Sequence, residues 1–359
     1  MAETTDTGGR GAPESTAVRR ILSIDGGGIK GVFPASFLAT VEDSIGGPVA
    51  DYFDLIVGTS TGGIIALGLG LGFTAKEILG FYEQKGLQVF RRRRFSYLRS
   101  LIWPSYDAAP LRAALEEQFG DRRLGDSRSR LVIPSLVMET GDVYIYRTAH
   151  HPRFERDHKV RAVDVALATT AAPSFFPAHR SATGVPLVDG GVWANNPTGL
   201  AVVEAIGTLG WSAESLRVLS LGCTTAPLST SQNGFTFGRA GWAFRLADFF
   251  MASQSCASMG TAFVLMGGHD HVRRVSPAVA KDRFSLDKVS EIATLRGLGE
   301  VEARKELPFL RQWFLQSPAE GFTPYHRIED RAADSATNNS VLAMLRQQRA
   351  AAWAGAGGN

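Results

Sequence analysis

The sequence has little cysteine, with only Cys223 and Cys256 among 359 residues. Two thiols make no disulfide framework, and a reducing compartment such as the cytoplasm is the simplest setting for them. Strong charge of either sign is also lacking. A formal net charge of +3, with 20% charged residues, is too mild to mark a nucleic-acid polymer as partner. The opening "MAETTDTGGRGAPESTAVRR" has no apolar core, so it is no secretory signal, and residues 1–18 read as a disordered leader. Residues 55–75 form an uncharged run of 21 positions, long enough to span a membrane as a helix. That run holds six glycines, and a short strand, a tight turn and a buried helix account for it better.

What is present is a rhythm. "RRILSIDGGGIKG" is a short apolar strand ending in a glycine turn, and "VFPASFLATVEDSI" follows with helical spacing. "YFDLIVGTSTGGIIALGLG" repeats the theme. "LVIPSLVME" and "VYIYRTA" read as paired strands, "VRAVDVALATTAA" as a helix, "PLVDGG" as a strand ending in a loop, and "LRVLSLGC" as a further strand. Alternation of this kind predicts an α/β fold with a largely parallel central sheet. Ligands in such folds sit beyond the carboxyl ends of the strands, where the glycine turns fall. Past Cys223 the rhythm weakens. "GRAGWAFRLADFFMASQSCASMGTAFVLM" reads as a helix, and "LDKVSEIATLRGLGEVEARKELPFLRQWF" as two helices interrupted at Gly297 and Gly299. The expected organisation is a catalytic domain over 19–225, a helical extension packed on it over 226–330, and a loose tail over 331–359.

Three short motifs carry the chemistry. Gly26-x-Gly28-x-x-Gly31 formally matches a dinucleotide fingerprint. However, Asp25 puts negative charge where a pyrophosphate would lie, and no acidic residue ends a second strand at the required distance. Consecutive glycines suit a different role equally well, since the amides of Gly26, Gly27 and Gly28 can converge on an oxygen that becomes negative. Lys30 either adds charge for a phosphate headgroup or is solvated. In "LIVGTSTGG", Ser60 stands between Gly58 and Gly62 in a strand–turn–helix context, the setting of an exposed nucleophile. In "PLVDGG", Asp189 ends an apolar run before Gly190 and Gly191, placed to serve Ser60 as a base if partial burial raises its pKa. The rival reading of Asp189 is a turn carboxylate capping its own backbone. A Ser–Asp–His triad is compatible with His269 or His271, although "GGHDHVRR" looks like a polar surface turn.

The ordered set Asp25–Gly31, Gly58–Gly62 and Asp189–Gly191 resembles the patatin-like phospholipase family, as does "ATTAAPSFFPA" over 168–178. The resemblance covers roughly residues 20–220. It implies a patatin-like three-layer fold and acyl hydrolysis of membrane phospholipids by a Ser–Asp dyad without histidine, metal or cofactor. Carried over, Ser60 is the nucleophile, Asp189 the base, and Gly26 to Gly28 the oxyanion hole, with Gly31, Gly58, Gly62, Gly190 and Gly191 as motif support. "HHPRFERDHKVRAVDVALATTAAPSFFPAH" and "GGVWANNPTGLAVVEA" further resemble bacterial patatin-like effectors of anti-phage defence. That likeness implies activation by a cyclic dinucleotide such as cGAMP, with an unregulated lipase as the alternative.

A lipase must reach a bilayer. "VFRRRRFSYLRSLIWPSY" over 89–106 mixes five arginines with aromatic and aliphatic residues, which suits peripheral contact with anionic lipid. The same residues equally fit a solvated basic loop with its apolar members packed inward. A catalytically silent lipid-binding scaffold is the non-enzymatic alternative, and the sequence leaves oligomerisation open.

Overall fold

The computed structural model describes residues 17–90, 104–225, 239–280 and 283–328. In chain order the main elements are β1 (Arg19–Ile24), α1 (Val32–Ile45), β2 (Leu55–Gly58), α2 (Thr61–Gly70), α3 (Ala75–Val89) and α4 (Ala108–Phe119). They continue with β3 (Arg130–Val137), β4 (Val143–Arg147), α5 (Ala162–Thr170), β5 (His179–Arg180), β6 (Pro186–Asp189), the one-turn α6 (Gly191–Ala194) and α7 (Thr198–Gly207). The last are β7 (Leu216–Leu221), α8 (Arg239–Leu265), β8 (Val272–Val275) and α9 (Ile292–Trp313).

Among the described residues the strands form one sheet in the order β5-β6-β3-β2-β1-β7-β8, with β4 also paired to β3. Strands β3, β2, β1, β7 and β8 run parallel, whereas β4, β6 and β5 complete one side in antiparallel fashion. Alternate strand residues feed two separate cores, because successive side chains leave a strand on opposite faces. Leu22, Ile24, Ile56 and Ile133 join one core with α1, α2, α3, α5 and α9. Ile21, Leu55, Val57 and Val132 join the other with Ala201, Val202, Ala262 and Met266 from α7 and the segment around α8. Helices therefore cover both faces of the sheet, giving three layers.

The uncharged run of residues 55–75 resolves into β2 and α2, which spans only ten residues and is buried along its whole length. Among the described residues no helix is long and apolar enough to cross a membrane.

Two expectations need correction. "GGHDHVRR" is not only a turn: Val272–Val275 is a strand, parallel to β7 at the edge of the sheet. Its two arginines mask the alternation, so the segment after Cys223 is not purely helical. The two helices expected around Gly297 and Gly299 are a single helix, α9. Gly299 serves close packing on α1, since a Cβ there would lie 2.6 Å from the Phe33 carbonyl oxygen and 2.8 Å from the Ser36 Cβ. Residues 1–16 of the leader expected over 1–18, most of the arginine-rich segment and the tail over 331–359 lie outside the described residues.

The two glycines of α9 are expected to respond oppositely to alanine. Gly297→Ala enters open space and is expected to stabilise by up to about 1 kcal/mol through helix propensity. Gly299→Ala must push α9 off α1 and is expected to destabilise by roughly 1–3 kcal/mol. Urea denaturation of both variants checks this, and equal responses would remove the packing explanation.

Candidate active site

Strand β2 ends at Gly58, and the chain must turn into α2 within Thr59 and Ser60. The turn is so tight that a Cβ on Gly58 would strike the Gly62 carbonyl. Ser60 sits at φ 56° and ψ −122°, a region costly for a residue with a side chain. Several bonds hold that geometry. The Thr59 N–H donates to the Ile24 carbonyl at 3.1 Å, and Thr59 Oγ1 donates to the Ala194 carbonyl at 2.6 Å. The Ser60 N–H donates to Thr169 Oγ1 at 3.0 Å, and that hydroxyl donates onward to the Pro134 carbonyl at 2.7 Å.

Asp189 ends β6, opposite Ser135 of β3. Ser60 Oγ donates to Asp189 Oδ2 at 2.6 Å, while the Gly191 N–H donates to Oδ1 at 2.6 Å. Burial raises the carboxyl from its ordinary 3.8 to about 6, against the downward pull of the bonds from Ser60 and Gly191. Asp189 thus accepts a bond from its own turn, as the capping reading supposed, and from Ser60 as well. After β6 the chain enters the one-turn helix α6 where a loop was expected.

The glycine loop lies beside this pair. Gly28 has φ +57°, and a Cβ on it would collide with the Leu286 carbonyl. A Cβ on Gly27 would lie 2.6 Å from Cys223, whose thiol burial pushes up to about 12. The expected trio of donors loses one member, because the Gly26 N–H donates to the Asn195 carbonyl at 2.9 Å. Among the described residues the N–H groups of Gly27 and Gly28 have no protein acceptor, and both glycines line the cavity that opens over Ser60 and Asp189. The supporting glycines pack the motifs together: Gly31 against Thr61, Gly62 against the Ile24 carbonyl, and Gly190 against the Pro134 carbonyl.

The cavity has a volume of about 380 Å³. Ser60, Asp189 and the glycine turn are joined in its lining by polar Thr61, Lys85, Thr170, Asn195 and Asp248, and its apolar walls include Ile29, Ile64, Phe81, Val89, Phe90 and Phe176. An apolar chain fits such walls, with an ester at the polar floor. Of the arginine-rich stretch, residues 91–103 lie outside the described residues. Its flanks turn inward: Phe90 meets Tyr106 edge-on at 5.6 Å and Phe176 at 6.2 Å between ring centres.

The histidines lie elsewhere. His269 is exposed and packs on Phe263, with ring centres 3.9 Å apart, and His271 Nδ1 contacts Arg217 at 2.9 Å. Buried His150 is held by Thr148 and Glu204. Among the described residues, no histidine bonds Ser60 or Asp189, and no group of three or more His, Cys, Asp or Glu stands close enough to hold a metal ion.

Sequence reasoning missed several supports. Thr169 lies inside the quoted "ATTAAPSFFPA" block, and Asn195 inside "GGVWANNP", so position in a motif was their only signal. Gln254 accepts the Asn195 N–H at 2.6 Å and donates to the Val192 carbonyl at 3.0 Å, a contact that nothing local announces.

Because the native Asp189 carboxyl titrates near 6 and its unfolded counterpart near 3.8, stability should fall as pH rises through that window. Above it, the ionised group disfavours the fold by about 3 kcal/mol. Asp189→Asn removes that term. Its stability gain over wild type, measured by chemical denaturation, should be larger at pH 8 than at pH 4, and an equal difference at both would refute the buried-charge account.

The patatin-like phospholipase family model matches residues 22–202. A cGAMP-activated phospholipase of Pseudomonas aeruginosa is 34% identical over 297 residues, covering 80% of this chain and 88% of that protein. A cGAMP-activated phospholipase of Vibrio cholerae is 33% identical over 248 residues, covering 62% and 69%. Patatin-like protein 2 of Oryza sativa subsp. indica is 35% identical over 218 residues, covering 52% and 53%. With this match spanning the serine turn, the glycine loop and the buried aspartate, the chain belongs to the patatin-like phospholipase family and is a lipid acyl hydrolase.

Proposed function

We propose that the chain cleaves fatty acyl esters of membrane phospholipids through Ser60 and Asp189. The observation that carries this reading is the 2.6 Å bond from Ser60 Oγ to a buried carboxylate at the floor of an apolar cavity. Ionised Asp189 takes the Ser60 proton as Oγ attacks the ester carbonyl. The tetrahedral oxyanion is met by the N–H groups of Gly27 and Gly28. As it collapses, the protonated Asp189 returns the proton to the departing lysophospholipid oxygen, leaving acyl-Ser60. Water then attacks the acyl carbon, Asp189 takes its proton, and the fatty acid leaves as Ser60 regains that proton.

Relatives named as cGAMP-activated phospholipases at 33–37% identity favour a cyclic dinucleotide, cGAMP or a close analogue, as activator rather than cofactor. With that activation goes an anti-phage role, in which the cytoplasmic enzyme acts peripherally on the host membrane once the nucleotide is present. A silent scaffold has no use for the strained Ser60 turn, and a Ser–His–Asp esterase has no histidine at the dyad among the described residues.

Ser60→Ala and Asp189→Asn are each expected to lower phospholipid hydrolysis by about 10⁴-fold, and Ser60→Ala to abolish labelling by a fluorophosphonate probe. Retained turnover in either variant would end the dyad reading. Since Asp189 must be ionised to accept a proton, kcat/KM should rise with pH and level off above about 6. Fatty-acid release measured with a panel of cyclic di- and trinucleotides tests activation, and an identical rate with and without every member would reject it.

A further inference from the structure

The glycine loop is anchored from outside the stretch matched by the family model. The amides of Gly27 and Gly28, which have no protein acceptor among the described residues, lie between Asp25 and Ile29. Three glycines in a row have little intrinsic preference for one conformation, so the direction of those amides depends on how the two ends are held. At the far end, the Ile29 N–H donates to the Leu286 carbonyl at 2.8 Å. At the near end, Arg274 of β8 grips the Asp25 carboxylate with both terminal nitrogens, Nη1 to Oδ1 at 2.8 Å and Nη2 to Oδ2 at 2.5 Å. Arg274 Nη1 also donates to Ser220 Oγ at 2.8 Å, which ties the guanidinium to β7. Asp25 is buried and the Arg274 side chain is 22% exposed, so the pair is partly shielded from water and salt. Arg274 and Leu286 both lie beyond residue 202, where the family match ends.

The neighbouring arginine provides contrast. Arg273 leaves β8 on the opposite side and pairs with Glu306 of α9, with Nε and Nη2 each at 2.7 Å. Two adjacent arginines of one strand thus serve different layers, and only Arg274 reaches the loop beside Ser60.

From this geometry we infer that Arg274 is a positioning residue for ester hydrolysis: through Asp25 it aims the Gly27 and Gly28 amides at the developing oxyanion. The inference rests on the oxyanion role proposed above. A bidentate guanidinium–carboxylate pair fixes orientation as well as distance, which a lysine cannot reproduce. Interactions of this kind matter in the transition state, when the carbonyl oxygen gains charge, and little in substrate binding, which the apolar walls provide.

The test compares full-length wild type, Arg274→Gln, Arg274→Lys and Arg273→Gln in hydrolysis of a short-chain acyl ester, with thermal unfolding of each. Arg274→Gln is expected to lower kcat about 10²-fold with KM within about twofold, the signature of lost oxyanion stabilisation. Arg274→Lys should recover part of that loss, and Arg273→Gln should match wild type. If Arg274→Gln does not fold, Asp25→Asn/Arg274→Gln leaves no lone buried charge and should show the same kcat loss. Wild-type kcat in either folded variant, or a KM increase with kcat intact, overturns the proposal. Ser60→Ala in the same assay separates the two readings. Turnover surviving in Ser60→Ala ends the dyad mechanism, whereas an inactive Ser60→Ala beside a fully active Arg274→Gln ends only the role of Arg274.

Discussion

The register of β3 is the constraint on which the site depends. Its first half pairs in parallel with β2, aligning Val132 with Val57, and its second half pairs antiparallel with β6, aligning Ser135 with Asp189. One strand thereby measures out both approaches, so β2 and β6 end at the same level although they run in opposite directions. Pro134 and Ser135 form the joint. The Pro134 carbonyl accepts the Thr169 hydroxyl and lies against Gly190, while Ser135 Oγ donates to the Val188 carbonyl and the Ser135 carbonyl accepts the Trp193 indole N–H. A slip of one residue would turn Asp189 to the other face.

Burial does the rest of the electrostatic work at this joint. A carboxylate removed from water holds its proton more tightly, and Ser60 Oγ and the Gly191 N–H offset only part of that effect. The result is a group that is ionised near neutrality yet basic enough to accept a proton from a serine in the proposed reaction. Fold stability is given up locally for this, both in the desolvated charge and in the strained Ser60 backbone. The surrounding layers supply the compensation: α2 is buried throughout, and the core on its face of the sheet also takes in α1, α3, α5 and α9.

The portion after residue 225 is more than a cover. Gln254 of α8 clamps the turn after Asp189 through Asn195 and Val192, Asn195 in turn bonds Gly26 in both directions, and Arg274 and Leu286 hold the glycine loop. Any ligand that shifts this part of the chain would act on both halves of the site at once. That is a physical route by which a regulated acyl hydrolase can be controlled without touching its nucleophile.

Sequence alone determined the strand–turn–helix around Ser60, the glycine loop and the aspartate at a strand end, because each follows from local rules: apolar runs, glycine where a side chain cannot fit, and helical spacing. It also determined that residues 55–75 fold as a strand and a buried helix, since six glycines mark turns and close packing. Tertiary structure decided what depends on distant partners. Gly26 loses its free amide to Asn195, Gly299 sits within a helix because α1 approaches too closely to admit a Cβ, and a polar-looking arginine becomes a half-buried anchor because β7 and Asp25 await it. Periodicity reports which face of an element is buried, but not which residue 249 positions away it will meet.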